Sequence, residues 1–77
     1  MAPTCQAQRR YTVVAEGDVL DAERHDVGDV RPEDVFLVGE APEANPYRSR
    51  YFGRVAGTSL TGYVDQAKLR FTGVVCR

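Results

Sequence analysis

The residues of this 77-residue chain that can do chemistry fall into four groups, each with a bland reading beside it. The densest is "NPYRSRYFGR", residues 45–54, where Arg48, Arg50 and Arg54 interleave with Tyr47, Tyr51 and Phe52. Guanidinium groups contact phosphates and aromatic rings stack on bases, so this pattern, with Arg70, could hold single-stranded nucleic acid. On a strand, however, Arg50, Phe52 and Arg54 fall on one face and Tyr51, Gly53 and Val55 on the other. The bland reading is then one core face and one solvated face. A sequence pI near 5.7 also weighs against a dedicated nucleic-acid binder.

The second group is acidic. Residues 16–43 carry ten acids against Arg24 and Arg31, whereas residues 44–77 carry six bases against Asp65 alone. Glu16, Asp18, Asp21, Glu23 and Asp26 could attract a basic protein partner, with Tyr47, Tyr51 and Tyr63 as anchors, because Tyr is favoured at the centre of protein interfaces. The bland alternative is that the two poles attract each other across the fold or are simply solvated. The acids do not have the spacing of a calcium loop, and no metal or cofactor is expected. Third, His25 stands beside Asp26, but no nucleophile is near it in sequence. It reads as a solvated loop histidine, and an enzyme is the class least supported.

The fourth group is Cys5 and Cys76, one near each end. Without the C-x-x-C spacing of a zinc site, they are either a clasp or two separate thiols. A disulfide closing so long a loop would stabilise by about 4 kcal/mol on the chain-entropy model and would imply an oxidising compartment or an exported chain. Separate thiols would fit the cytoplasm. "MAPTCQAQRR" has no apolar core of the kind a secretory leader needs, and no stretch approaches the ~20 apolar residues of a membrane helix. Nine Arg to one Lys, with many Ala, Val and Gly, suggests a high-GC bacterial or phage genome.

Short β-type segments must position these groups. "RRYTVVAE" (9–16), "DVFLVGE" (34–40), "SRYFGRVA" (49–56), "LTGYVD" (60–65) and "RFTGVV" (70–75) read as five strands. Tyr11, Val13 and Ala15 share one face, with Thr12 and Val14 on the other. Residues 17–33 read as a long acidic hairpin or loop, 41–47 as a Pro-containing loop, and "QAKL" as a turn of 3₁₀ helix. Gly53 inside a strand marks a bulge or a bend, Gly62 is a second such glycine, and strands this short favour a small closed barrel. Residues 1–8 form an N-terminal arm and 9–77 one domain.

The order of these pieces resembles the SH3 family, and its bacterial branch most closely. The resemblance rests on "FGRV" (52–55), the turn over Ala56–Ser59, "TGYV" (61–64), the closing Leu69, and "VRPEDVFLVGE" (30–40) leading into an apolar strand. It covers roughly residues 11–69. It implies an all-β, five-stranded SH3-like barrel with a long acidic loop after strand 1 and a short 3₁₀ turn before the last strand. It also implies a non-catalytic binding module. Its terminal strands lie side by side, which would bring Cys5 and Cys76 together. Where the family's polyproline surface has Pro-Ser-Asn-Tyr, this chain has Asp65, Gln66, Ala67 and Lys68, so that ligand is not implied. A protein partner is the leading expectation. Nucleic acid through Arg48, Arg50, Arg54 and Arg70, and cell-envelope binding by an exported chain, are the alternatives.

Overall fold

A computed structural model describes residues 7–39 and 44–76. Seven strands and one 3₁₀ turn follow in chain order: β1 (Ala7–Val13), β2 (Gly17–Leu20), β3 (Asp26–Val30), β4 (Val35–Val38), β5 (Arg50–Val55), β6 (Thr61–Asp65), the turn Gln66–Lys68, and β7 (Leu69–Cys76). All pairings are antiparallel, in the order β3-β2-β6-β5-β4-β1-β7. Among the described residues no helix is long and apolar enough to cross a membrane.

The all-β expectation and the 3₁₀ turn before the last strand hold. The five-stranded barrel does not. The strand count is seven because the acidic stretch forms a paired hairpin, β2 with β3, in the register Asp18↔Asp29 and Val19↔Gly28. Acids dominate its composition, yet Val19 and Val30 are fully buried, and these two valines dock the hairpin on the core. The closed barrel is replaced by an open sheet whose order ends at β3 and β7. The sheet nevertheless curls. One flat layer cannot seal Val13, Val19, Val30, Phe36 and Val64 from solvent, and these residues come from β1, β2, β3, β4 and β6.

Two cross-strand neighbours, Gly53 and Gly62, permit the curl. A Cβ on Gly53 would overlap the Leu37 carbonyl oxygen and sit 2.8 Å from Phe36 Cε2. A Cβ on Gly62 would lie 2.5 Å from Val19 Cγ1 and 2.8 Å from the Leu20 carbonyl oxygen. The pairing of β5 with β6 runs through both without a register shift, so Gly53 serves close backbone approach and not a bulge.

β1 begins at Ala7, so Ala7 and Gln8, expected in the N-terminal arm, pair with Cys76 and Val75. The Cys5–Cys76 pairing lies outside the described residues, as Cys5 does. Leu69, expected to close the barrel's end, is partly buried against the core. The turn before it is fixed by Asp65, whose Oδ1 accepts from the Ala67 amide at 2.9 Å.

Candidate binding face

Alternation on β5 gives the domain two faces. Tyr51, Gly53 and Val55 turn toward the core; Arg50, Phe52 and Arg54 turn away. Opposite Phe52 in register stands Tyr63, so Tyr63 also faces outward. It is nonetheless only 2% exposed. What covers it is a second, smaller apolar cluster on the outer face. Tyr47 packs on it at 5.0 Å between ring centroids, and Phe52 meets it edge-on at 5.1 Å. Pairs at these separations and tilts contribute about 0.5–1.5 kcal/mol beyond their buried area.

Arg50 ties this cluster to the acidic hairpin. Its Nη1 donates to the backbone oxygens of Asp18 (3.3 Å) and Tyr63 (3.2 Å), and its Nη2 meets Asp18 Oδ1 at 3.0 Å. The same guanidinium lies 5.7 Å from the centre of the Tyr47 ring, and Arg24 approaches that ring at 5.9 Å. The Tyr47 hydroxyl donates to the backbone oxygen of Asp21. Hairpin, connection and sheet are thus joined by one planar cation and one phenol. An Arg50→Lys chain retains the charge but not the fork of donors. It is expected to lose about 1–2 kcal/mol in a denaturant titration and to shift the amide resonances of Asp18, Tyr47 and Tyr63. Wild-type stability with unmoved resonances would rule out this linking role.

The hairpin's far end is held by Asp21. Its Oδ1 accepts from the amides of Glu23 (2.8 Å) and His25 (2.9 Å). Its Oδ2 lies 3.3 Å from His25 Nδ1. The His25 amide bond above all, with the Glu23 amide and the imidazole, holds the Asp21 carboxyl below its ordinary pKa, against a smaller opposing effect of desolvation. His25 therefore pairs with Asp21 and not with its sequence neighbour Asp26. Its side chain is exposed, as a solvated loop histidine would be.

Two clefts meet at Phe52. One, of about 230 Å³, is lined by Asp21, Glu23, Phe52, Thr61 and Tyr63. The other, of about 710 Å³, is lined by Gln8, Leu37, Arg54, Thr58 and Ser59 as well as Phe52. Gln8 Oε1 is buried and accepts no hydrogen bond among the described residues. The face is therefore graded: carboxylates at the hairpin end, an aromatic middle, one guanidinium beside the β5–β6 turn.

The residues expected from sequence divide accordingly. Asp18, Asp21, Tyr47 and Tyr63 come together, and exposed Glu23 and Asp26 lie at the same end of the hairpin. Glu16 lies at the hairpin's opposite end, before β2. Tyr51 does not join them. It faces inward, 5.4 Å from the Tyr11 ring, with Arg9 at 5.1 Å from its own ring. Burial is the main cause of the raised Tyr11 pKa there.

The four arginines expected for nucleic acid do not form one patch. Arg50 is engaged with Asp18, Arg54 donates to the Thr58 backbone oxygen at 3.3 Å, exposed Arg48 precedes β5, and Arg70 stands on β7 at the end of the sheet. Phe52, expected only in the basic-aromatic segment 45–54, and Arg24, not expected at all, also belong to this candidate face. Phe52 was legible from its alternation with Arg50 and Arg54. Arg24 was not, because its approach to Tyr47 depends on how the hairpin folds back.

Fold and face together define an all-β domain with an aromatic outer face bordered by an acidic hairpin. No family model matches the chain, and no curated protein or solved structure matches it either.

Proposed function

We propose that this domain is a non-catalytic binding module for a protein partner, docking through the end of the acidic hairpin and the aromatic face beside it. The observation that carries this reading is the join between them. Exposed Glu23 shares a cleft with Phe52 and Tyr63, and exposed Asp26 stands at the same end of the hairpin, which the bonds of Asp21, Arg50 and Tyr47 tie to the aromatic cluster. Charges at a rim steer encounter, while an aromatic centre supplies retention. The order of the elements supports an SH3-like reading of the domain: acidic hairpin, apolar strand, long connection, tight hairpin, 3₁₀ turn and last strand. The Cys5–Cys76 clasp belongs to the same reading. Its support is the register that sets Cys76 opposite Ala7, two residues from Cys5.

The structure changes which acids best test it. Asp18 and Asp21 are structural, so reversing them would disturb the face itself. A Glu23→Lys chain is the sharper variant, because the Glu23 carboxylate is exposed and makes none of the bonds that hold the face. Against a partner captured on the wild-type domain, its association rate is expected to fall about tenfold at low salt, with the difference shrinking as salt screens the charges. Dissociation should change little. An association rate equal to wild type at low salt sinks the reading.

A further inference from the structure

The sheet's two ends point to a second use of the molecule. Among the described residues each end strand is paired on one side only: β3 with β2, and β7 with β1. Such an edge presents backbone donors and acceptors to any neighbouring chain. The described residues include four large hydrophobics that are well exposed: Val14, Val27, Phe71 and Val74. Three of these four sit on the end strands, Val27 on β3 and Phe71 and Val74 on β7, the last two being 54% and 60% exposed.

Charge separates the two ends. β3, "DVGDV", carries Asp26 and Asp29 and no base; β7, "LRFTGVVC", carries Arg70 and no acid. A β7 edge set against another β7 edge would pair like with like. Set against β3, it would bring Arg70 to the aspartates and Phe71 or Val74 to Val27.

We propose that copies of this domain associate head to tail, the β7 edge of one copy pairing with the β3 edge of the next. The occupant of each edge is a second copy of this chain. The contact joins two different surfaces, so it adds copies in series until a ring closes or a filament grows. β7 carries its own restraint on such growth. Its pairing with β1 shifts register opposite Arg10 and Tyr11, skipping Thr72, whose Oγ1 donates to the Arg10 backbone oxygen at 3.1 Å. A bulge of this kind turns an edge away from chance partners. The bulge leaves three residues on one side of it (69–71) and four on the other (73–76), so neither side alone pairs with all five residues of β3. The association is therefore weak and concentration-dependent.

Sedimentation velocity of the full chain across a wide concentration range, at low and high salt, tests this. Species larger than a dimer are expected to appear as concentration rises and to recede with salt. Asp29 is preferable to Asp26 for substitution, because Asp26 Oδ1 also accepts from the Gly28 amide at 3.0 Å. Arg70→Asp alone should raise the concentration needed for association about tenfold. Arg70→Asp combined with Asp29→Arg should restore it, since the charges are exchanged and remain complementary. A chain that stays monomeric throughout overturns the proposal. So does a dimer that never grows, which would mean one edge pairing with itself. Failure of the exchanged pair to restore association overturns it too, provided circular dichroism shows the variant folded.

Discussion

A Gly53→Val chain is expected to be largely unfolded under conditions where the wild type is folded. The first carbon of any side chain at position 53 falls within overlap of the Leu37 carbonyl oxygen and 2.8 Å from Phe36 Cε2. A flexible side chain could move aside, but a backbone oxygen in the β4–β5 ladder cannot move without parting the strands. The pairs Val38↔Gly53 and Leu37↔Arg54 would separate, and with them the approach that folds the sheet over its core. Overpacking of this rigidity costs about 3 kcal/mol or more. Gly57 supplies the comparison. Nothing lies within 4 Å of a Cβ placed there, and only its φ of +80° resists substitution, so Gly57→Ala should cost about 1 kcal/mol. Urea titrations of both variants check the pair. Equal losses at 53 and 57 would mean that the approach of β5 to β4 is not what Gly53 secures.

Phe36→Ala is expected to have a comparable effect by the opposite route. Phe36 is 0% exposed and is among the largest fully buried side chains. It stands on the interior strand β4, opposite Tyr11 of β1 and Val55 of β5. Emptying such a site typically costs about 3–5 kcal/mol, the lost transfer energy plus the cavity left behind. A domain of this size has about 4–12 kcal/mol in total. The midpoint of thermal unfolding should therefore fall by about 15 °C or more, if the variant folds at all. A Phe36→Leu chain, which refills most of the volume, should recover much of the loss. A fall of only a few degrees for the alanine variant would show that the core is not centred on β4.

The aromatic outer face is a different case, and it bears on what sequence could reveal. The alternation along β5 was enough to place Arg50, Phe52 and Arg54 on one face and Tyr51 on the other. Three tyrosines were nevertheless expected to act together. Tyr51 left the group because its strand position turns it inward, against Tyr11. Tyr63 stayed because it is paired with Phe52 in register, a fact of strand alignment that no local pattern contains. Arg50 read as a phosphate contact from composition. In the fold it is a cross-link to Asp18, 32 residues away in the chain, and its capacity is largely taken up.

By itself the sequence determined the all-β class, the faces of β1 and β5, the 3₁₀ turn before the last strand, and the separation of acidic from basic segments. These follow from period-two alternation, from turn residues such as Gly57, and from counts of charge, all of which are local. Tertiary structure alone decided that the acidic stretch is a hairpin of two strands, because two valines among many acids become significant only once a core exists to receive them. It also decided that the sheet stays open and which charges are free to meet a partner. The physical reason is the same in each case. Strand pairing and guanidinium–carboxylate contacts join residues tens of positions apart, and their energies depend on distances that only the folded chain fixes.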